Sequence, residues 1–302
     1  MSDAGPASKD GAAGAWDAAS LLELAVQAAR MAGALLLQRV SDGAERDVTS
    51  KSTPTDLVSE ADVASQRAIR DLLASRRPDD GFLGEEEGSS QEGSSGLSWI
   101  VDPLDGTVNY LFGIPQWSVS VAVRDARGAV AGAVFDPNRD ELFVATRDGR
   151  ARLLGGDGAR ELHRAPAHDA SHERRTGGVV GADAQAGSGG GELASAMVAT
   201  GLAYDADVRG AQARVLERLV PRVRDIRRFG SAALDLAWTA AGRFDAYYER
   251  SVKQWDIAAG ALVCERAGLR VHELPARESL PWGILVAPQA LCEPLLELVG
   301  GA

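Results

Sequence analysis

Residues 99–109 read WIVDPLDGTVN, and the organisation of the chain is read outward from this stretch. Trp99, Ile100 and Val101 form a short apolar run that suits a buried strand. Asp102 follows, and Pro103, with no amide hydrogen to donate, blocks extension of that strand. Asp105 comes three positions after Asp102, then Gly106, Thr107 and Asn109. Two carboxylates just beyond a strand end, on a Pro-Gly turn, converge instead of alternating across a sheet. Convergent carboxylates repel unless a cation lies between them or one is protonated. Hard oxygen ligands at close range suit Mg²⁺. The Gly106–Thr107 amides are expected to open a helical turn, which attracts anions. Neighbouring cation and anion sites fit phosphate bound through a metal. Asp-Pro and Asp-Gly are also common turn dipeptides, so the segment alone leaves a turn-and-cap account open.

On the N-terminal side, Leu21, Leu22, Leu24, Ala25, Ala28, Met31 and Leu35 recur at helical spacing from Asp17 onward. Either Asp17 or a Ser20/Glu23 capping box starts that helix. A polar loop over 41–55 leads to a second helix over 59–76, with Val63, Ile69, Leu72 and Leu73 on one side. On the C-terminal side, Val119, Val121 and Val123 alternate, and residues 129–135 and 141–146 read as further strands of an antiparallel sheet. Residues 149–178 carry Gly, Arg, His and Asp without a period, which suggests an internal boundary or surface insertion. Beyond it the pattern predicts a strand at Val179-Val180, helices near 192–200, 211–220 and 231–241, a strand over 244–248, a helix over 255–267, a strand over 284–286 and a helix over 289–299. Residues 1–15 are small, polar and Gly-rich and read as a disordered tail. Residues 16–302 then form a single mixed α/β domain, with an antiparallel-sheet half over about 16–150 and an α/β half over about 176–302.

Of 302 residues, 45% are hydrophobic, enough for a sizeable core. The 43 acidic residues outweigh 32 basic ones and leave a charge of -11, which opposes nucleic-acid binding driven by overall charge. Cys264 and Cys292 cannot make a disulfide scaffold and are expected to be buried thiols. The N-terminal stretch has no apolar signal core, and no run approaches eighteen uninterrupted apolar residues. A soluble, cytoplasmic protein with no membrane partner is expected.

Three further acidic segments each have an ordinary account. Glu85, Glu86 and Glu87 after Gly84 could be a solvated charge run, and Asp256 after Trp255 could cap a helix. Asp56 and Asp62 bracket another helix start. Taken together, the motifs resemble the inositol monophosphatases, within the wider superfamily of Mg²⁺-dependent, Li⁺-sensitive phosphatases. The family pattern W-x-x-D-P-x-D-G-T-x-N is met by Trp99, Asp102, Pro103, Asp105, Gly106, Thr107 and Asn109. Its G-E-E stands as Gly84-Glu85-Glu86, its W-D-x-A-A-G as Trp255 to Gly260, and its D-L-V-T-x-x-D as Asp56 to Asp62 with Ser59 for Thr. Order and spacing hold from about residue 17 to the C-terminus. One glycine of the family's E-A-G-G is missing at Glu265 to Leu269, and Gly155-Gly156-Asp157 replaces its usual N-G turn.

The resemblance implies an α/β (α+β) fold, a layered αβαβα sandwich, and hydrolysis of a phosphomonoester. It assigns Glu85, Asp102 and the Leu104 carbonyl to a first Mg²⁺, and Asp102, Asp105 and Asp256 to a second. A third, weaker Mg²⁺ near Glu85 and Glu86 is compatible with it. Glu85 and Thr107 would orient and deprotonate the attacking water, with Asp62 holding the Thr107 hydroxyl. Two metals about 3.5–4 Å apart clamp both oxygens of an in-line displacement. Asp105, Gly106 and Thr107 would contact the substrate, while Glu249 and the backbone near Ser231 and Ala232 would take the ring hydroxyls of inositol. Lys51 matches a mobile loop near the metals. Inositol 1-phosphate is the expected substrate. Histidinol phosphate, fructose 1,6-bisphosphate, adenosine 3′,5′-bisphosphate and a regulatory binding role in transcription are the rival readings. A homodimer is expected from the resemblance alone.

Overall fold

Asp17 starts the first helix, α1 (Ala18–Ser41): its carboxylate accepts from the amides of Ala19 at 3.2 Å and Ser20 at 3.1 Å. Of the two caps read from the sequence, this is the one formed. In this computed structural model, residues 16–42, 48–50, 57–86, 90–164 and 190–300 are described. Lys51, Asp56, Glu87, Val179, Val180 and the N-terminal tail lie outside them. By length and composition α1 could cross a membrane. Its apolar stripe, Leu21, Ala25, Ala28, Ala32 and Leu36, is instead buried in a protein core.

A short antiparallel pair, β1 (Val48–Ser50) and β2 (Leu57–Ser59), leads into α2 (Glu60–Arg76). Ser59 caps α2, and Asp62 returns to the Ser59 amide at 2.8 Å. The first large sheet runs β3 (Gly81–Gly84), β4 (Ser98–Asp105), β5 (Ser118–Asp125), β6 (Gly128–Asp136), β7 (Glu141–Thr146), β8 (Arg152–Gly155) and β9 (Gly158–Glu161) in sequence order. All neighbours in it are antiparallel except β3 and β4. A short helix, α3 (Thr107–Leu111), interrupts it between β4 and β5. The second half contains α4 (Gly190–Ser195), β10 (Met197–Thr200), α5 (Ala206–Leu219), β11 (Asp225–Arg227), α6 (Ala232–Ala240), β12 (Ala246–Arg250), α7 (Gln254–Arg266), β13 (Arg270–Leu274), β14 (Gly283–Ala287) and α8 (Gln289–Val299). Its strands make a second sheet in the order β11-β10-β12-β14-β13.

Period-two alternation sorts these strands between three cores. Val119, Val121 and Val123 face α1 and α2, while Ala122 turns to the other side. There it meets α6 and α7 through Leu236, Ala259 and Val263, which also carry Tyr247 and Val286 of the second sheet. Tyr248, one residue on, faces the outer layer with Val215, Leu219 and Leu295 of α5 and α8. The result is the layered αβαβα sandwich. Cys264 and Cys292 are buried free thiols within it.

Several elements differ from the sequence reading. The helix expected over 192–200 ends at Ser195, and Met197–Thr200 is a strand, because a short apolar run fits either period. Strand β4 continues past Pro103 to Asp105 with a register shift between Asp102 and Asp105, so the missing amide falls where pairing is already broken. Within the 149–178 segment read as a boundary or surface insertion, residues 152–161 form a hairpin of the first sheet, and 165–178 lie outside the described residues. Val63 is 53% exposed, off the packed face of α2. Strands β3, β11 and β13 were not expected.

The central helix α7 lies against the sheet at a glycine: a Cβ on Gly132 would stand 2.9 Å from the Ala259 Cα. Backbone atoms cannot yield as a flexible side chain does, so any side chain here must lift the helix. Gly132→Val should therefore cost about 1–3 kcal/mol by overpacking, seen as a lower urea midpoint with an unchanged m-value.

Candidate active site

The register shift in β4 turns Asp102 and Asp105 toward one pocket. Both are buried, at 2% and 7% exposure. Asp102 Oδ1 accepts from the Leu104 amide at 3.0 Å. Asp105 is held from a distant segment: it accepts from Ser231 Oγ at 2.5 Å, from the Ala232 and Ala233 amides at 3.1 and 2.8 Å, and from Ser118 Oγ at 3.3 Å. It thus caps α6, where unpaired amides favour an anion. Burial still raises its pKa to about 6 against those hydrogen bonds. Asp256 sits in the first turn of α7 and accepts from the Lys253 amide at 2.6 Å.

Glu85, Asp102, Leu104, Asp105, Thr107 and Asp256 line the same pocket, of about 260 Å³. Burial, followed by the charges of Glu85, Asp105 and Asp256, pushes the Asp102 carboxyl well above the usual range. Asp256 is raised as well, first by burial, against the Lys253 hydrogen bond. Glu86 is 7% exposed, which sets aside the solvated-run account for it, and its amide donates to Gln66 Oε1 of α2 at 3.1 Å.

Thr107 begins α3 after Gly106, whose φ of 97° suits glycine. Its hydroxyl stands 2.8 Å from Asp62 Oδ1 and 3.1 Å from the Leu104 carbonyl. Asp62 is fully buried, and burial raises its pKa against the hydrogen bonds from Ser59 and Thr107. Asn109 Nδ2 donates to the carbonyls of Gln116 and Phe229, both at 2.7 Å, and so ties the motif to the segment before α6.

Glu249 and Ala232 also line the pocket. Tyr247 donates to Glu249 Oε2 at 2.9 Å, and burial raises the Glu249 pKa to about 7. Of the backbone near Ser231 and Ala232, expected to take ring hydroxyls, the Ala232 amide is turned onto Asp105, as is the Ser231 hydroxyl. Ser231 is 1% exposed. The buried carboxylate takes the donors nearest to it, which local sequence cannot show. Sequence reasoning also passed over Arg228 and Tyr204, both on the pocket wall, because no local pattern marks them.

Among the described residues, no group of three or more His, Cys, Asp or Glu side chains forms a ready-made metal site. Asp105 is turned onto α6 and Asp256 onto the Lys253 amide. The donor set nevertheless fits a hard divalent cation. It consists of carboxylates and a carbonyl, with no nitrogen or sulfur, and its buried acids destabilise one another's charged forms.

The family model described as the inositol monophosphatase family matches residues 17–297. The chain belongs to that family, one of phosphatases that are generally metal-dependent. The inositol-1-monophosphatase SuhB of Mycobacterium tuberculosis (strain ATCC 25618 / H37Rv) is 40% identical over 239 residues, which cover 78% of this chain and 74% of that one. The Nus factor SuhB of Pasteurella multocida (strain Pm70) is 35% identical over 269 residues, covering 88% and 90%. The solved structure of Mycobacterium tuberculosis SuhB matches with a TM-score of 0.72 at 34% identity, over 94% of this chain and 96% of that one.

In protein stripped of divalent ions, Asp102→Asn should raise the melting temperature, because it removes a charge buried beside three others. Added Mg²⁺ should then stabilise the wild type more than the variant. At about 100 times Kd the wild-type gain is about 2.7 kcal/mol. Calorimetry with and without chelator reads both effects.

Proposed function

We propose that this protein is a Mg²⁺-dependent phosphomonoesterase whose substrate is inositol 1-phosphate. The observation that carries this reading is the gathering of Glu85, Asp102, Asp105 and Asp256 on one pocket wall beside the Thr107–Asp62 pair. Glu85, Asp102 and the Leu104 carbonyl would hold one ion, and Asp102, Asp105 and Asp256 a second. Bound Mg²⁺ supplies Lewis acidity, which lowers the pKa of water and shields the charge of the phosphoryl group. The Thr107 hydroxyl donates a hydrogen bond to Asp62 Oδ1 and keeps its oxygen lone pairs for a water in the pocket. Asp62 lies behind Thr107 and acts through it. Glu85 orients the same water from the end of β3, the parallel neighbour of β4. Gly106 and Thr107 receive the phosphate, and Glu249 the ring hydroxyls. The name of the Mycobacterium tuberculosis relative, an inositol-1-monophosphatase, supports the choice of substrate.

Li⁺ inhibition, a homodimer and a cytoplasmic location belong to the same reading. Phe112 and Ile114, at 73% and 49% exposure, supply apolar surface for self-association, which sedimentation checks. The rival monoesters share this metal site. A regulatory role in transcription is the second reading, favoured by the name Nus factor given to the Pasteurella multocida relative. A protein acting only in that way would release no phosphate.

Phosphate release across a panel of monoesters tests the proposal. Inositol 1-phosphate should lead the panel, and chelation should abolish turnover. Full activity after exhaustive chelation would falsify the metal mechanism. Thr107→Ala should lower kcat by about 10²–10⁴-fold, with Mg²⁺ affinity, followed by calorimetry, nearly unchanged.

Glu249→Gln should raise the KM for inositol 1-phosphate more than it lowers kcat, since a site built to bond hydroxyls loses when its acceptor is altered. Steady-state kinetics against an aryl phosphate provide the control, which should change much less.

A further inference from the structure

One wall of the pocket has no part in the proposed chemistry. It is the connection from β10 to α5, residues Gly201, Leu202, Ala203 and Tyr204. Gly201 lies flush on Glu249, for a Cβ there would overlap the Glu249 carboxylate. The connection is then anchored repeatedly by the helix that follows it. Asp205 Oδ1 accepts from the amides of Asp207 and Val208, both at 2.9 Å. Gln212, itself 5% exposed, accepts from the Ala203 amide at 2.8 Å. Arg209 donates through one nitrogen to the carbonyls of Ala203 at 2.9 Å and Tyr204 at 3.0 Å.

A segment this short, fixed on both sides, has little conformational freedom left to lose on binding. It presents one large aromatic side chain, Tyr204, 44% exposed at the pocket wall. An exposed aromatic face contributes little to folding, and a ligand that covers it gains the apolar contact instead. The C–H face of a cyclitol or sugar ring offers such a surface, while its hydroxyls point sideways to polar partners such as Glu249. A short open-chain alcohol offers much less.

We infer that Tyr204 is the platform on which the ring of the substrate alcohol rests, which makes it a specificity-determining residue. The inference builds on the phosphatase reading above and selects ring alcohols over open-chain ones. Arg209 is a positioning residue that holds the platform in place.

The test is the ratio of kcat/KM for inositol 1-phosphate to that for glycerol 2-phosphate. In Tyr204→Ala the ratio should fall about five- to tenfold, mostly through the KM for the inositol ester. Tyr204→Phe should keep it within about twofold, and Arg209→Ala should lower it in the same direction as Tyr204→Ala. An unchanged ratio in Tyr204→Ala, or a Phe variant as poor as the Ala variant, overturns the platform while leaving the phosphatase reading intact. No phosphate release from any monoester by the wild type overturns both.

Discussion

Asp105 accepts hydrogen bonds from Ser231, Ala232 and Ala233, and that one carboxylate joins the two halves of the molecule. It belongs to the end of β4 in the first sheet, and its partners belong to the start of α6 in the layer between the sheets. Asn109 adds a second tie from the same motif to Phe229. The pocket opens where these ties are made, so its walls come from both sheets: Glu85 and Asp102 from one, Glu249 and Gly201 from the other. Removing this contact would loosen the acids of β4 against the wall beside Glu249.

That arrangement has a cost in charge. Asp102 and Asp256 are driven up in pKa mainly by burial and then by neighbouring acids. A fold that gathers such groups is strained electrostatically unless a cation binds or a carboxyl keeps its proton, so any cation bound there would draw on the same free energy as folding. The backbone amides of Leu104, Lys253, Ala232 and Ala233 offset part of the cost without adding a formal charge.

The acidic motifs were legible because their chemistry demands particular residue types near strand ends and helix starts, and local spacing records that demand. The helix at Asp17 and the alternation of Val119, Val121 and Val123 were legible for a related reason, since one face of each is packed. The hairpin of β8 and β9 was not. All four residues of β9 are exposed, so no apolar period marks it. Strand β10 was mistaken for helix because Met197 to Ala199 satisfies both periods. The direction of the Ser231 hydroxyl depends on Asp105, 126 residues away in sequence. Tyr204 reaches the pocket wall only because two sheets meet there.

The contact between Gly132 and Ala259 acts as a gauge block. Ala259 lies three residues beyond Asp256 on α7, less than one helical turn away. The height at which α7 rests on the sheet therefore enters the gap between Asp256 and the two aspartates of β4. A glycine in the middle of a strand, outside the lining of this pocket and bearing no charge, sets a tolerance for the spacing of the acids. Drift in that spacing can originate in a layer of the protein that no substrate touches.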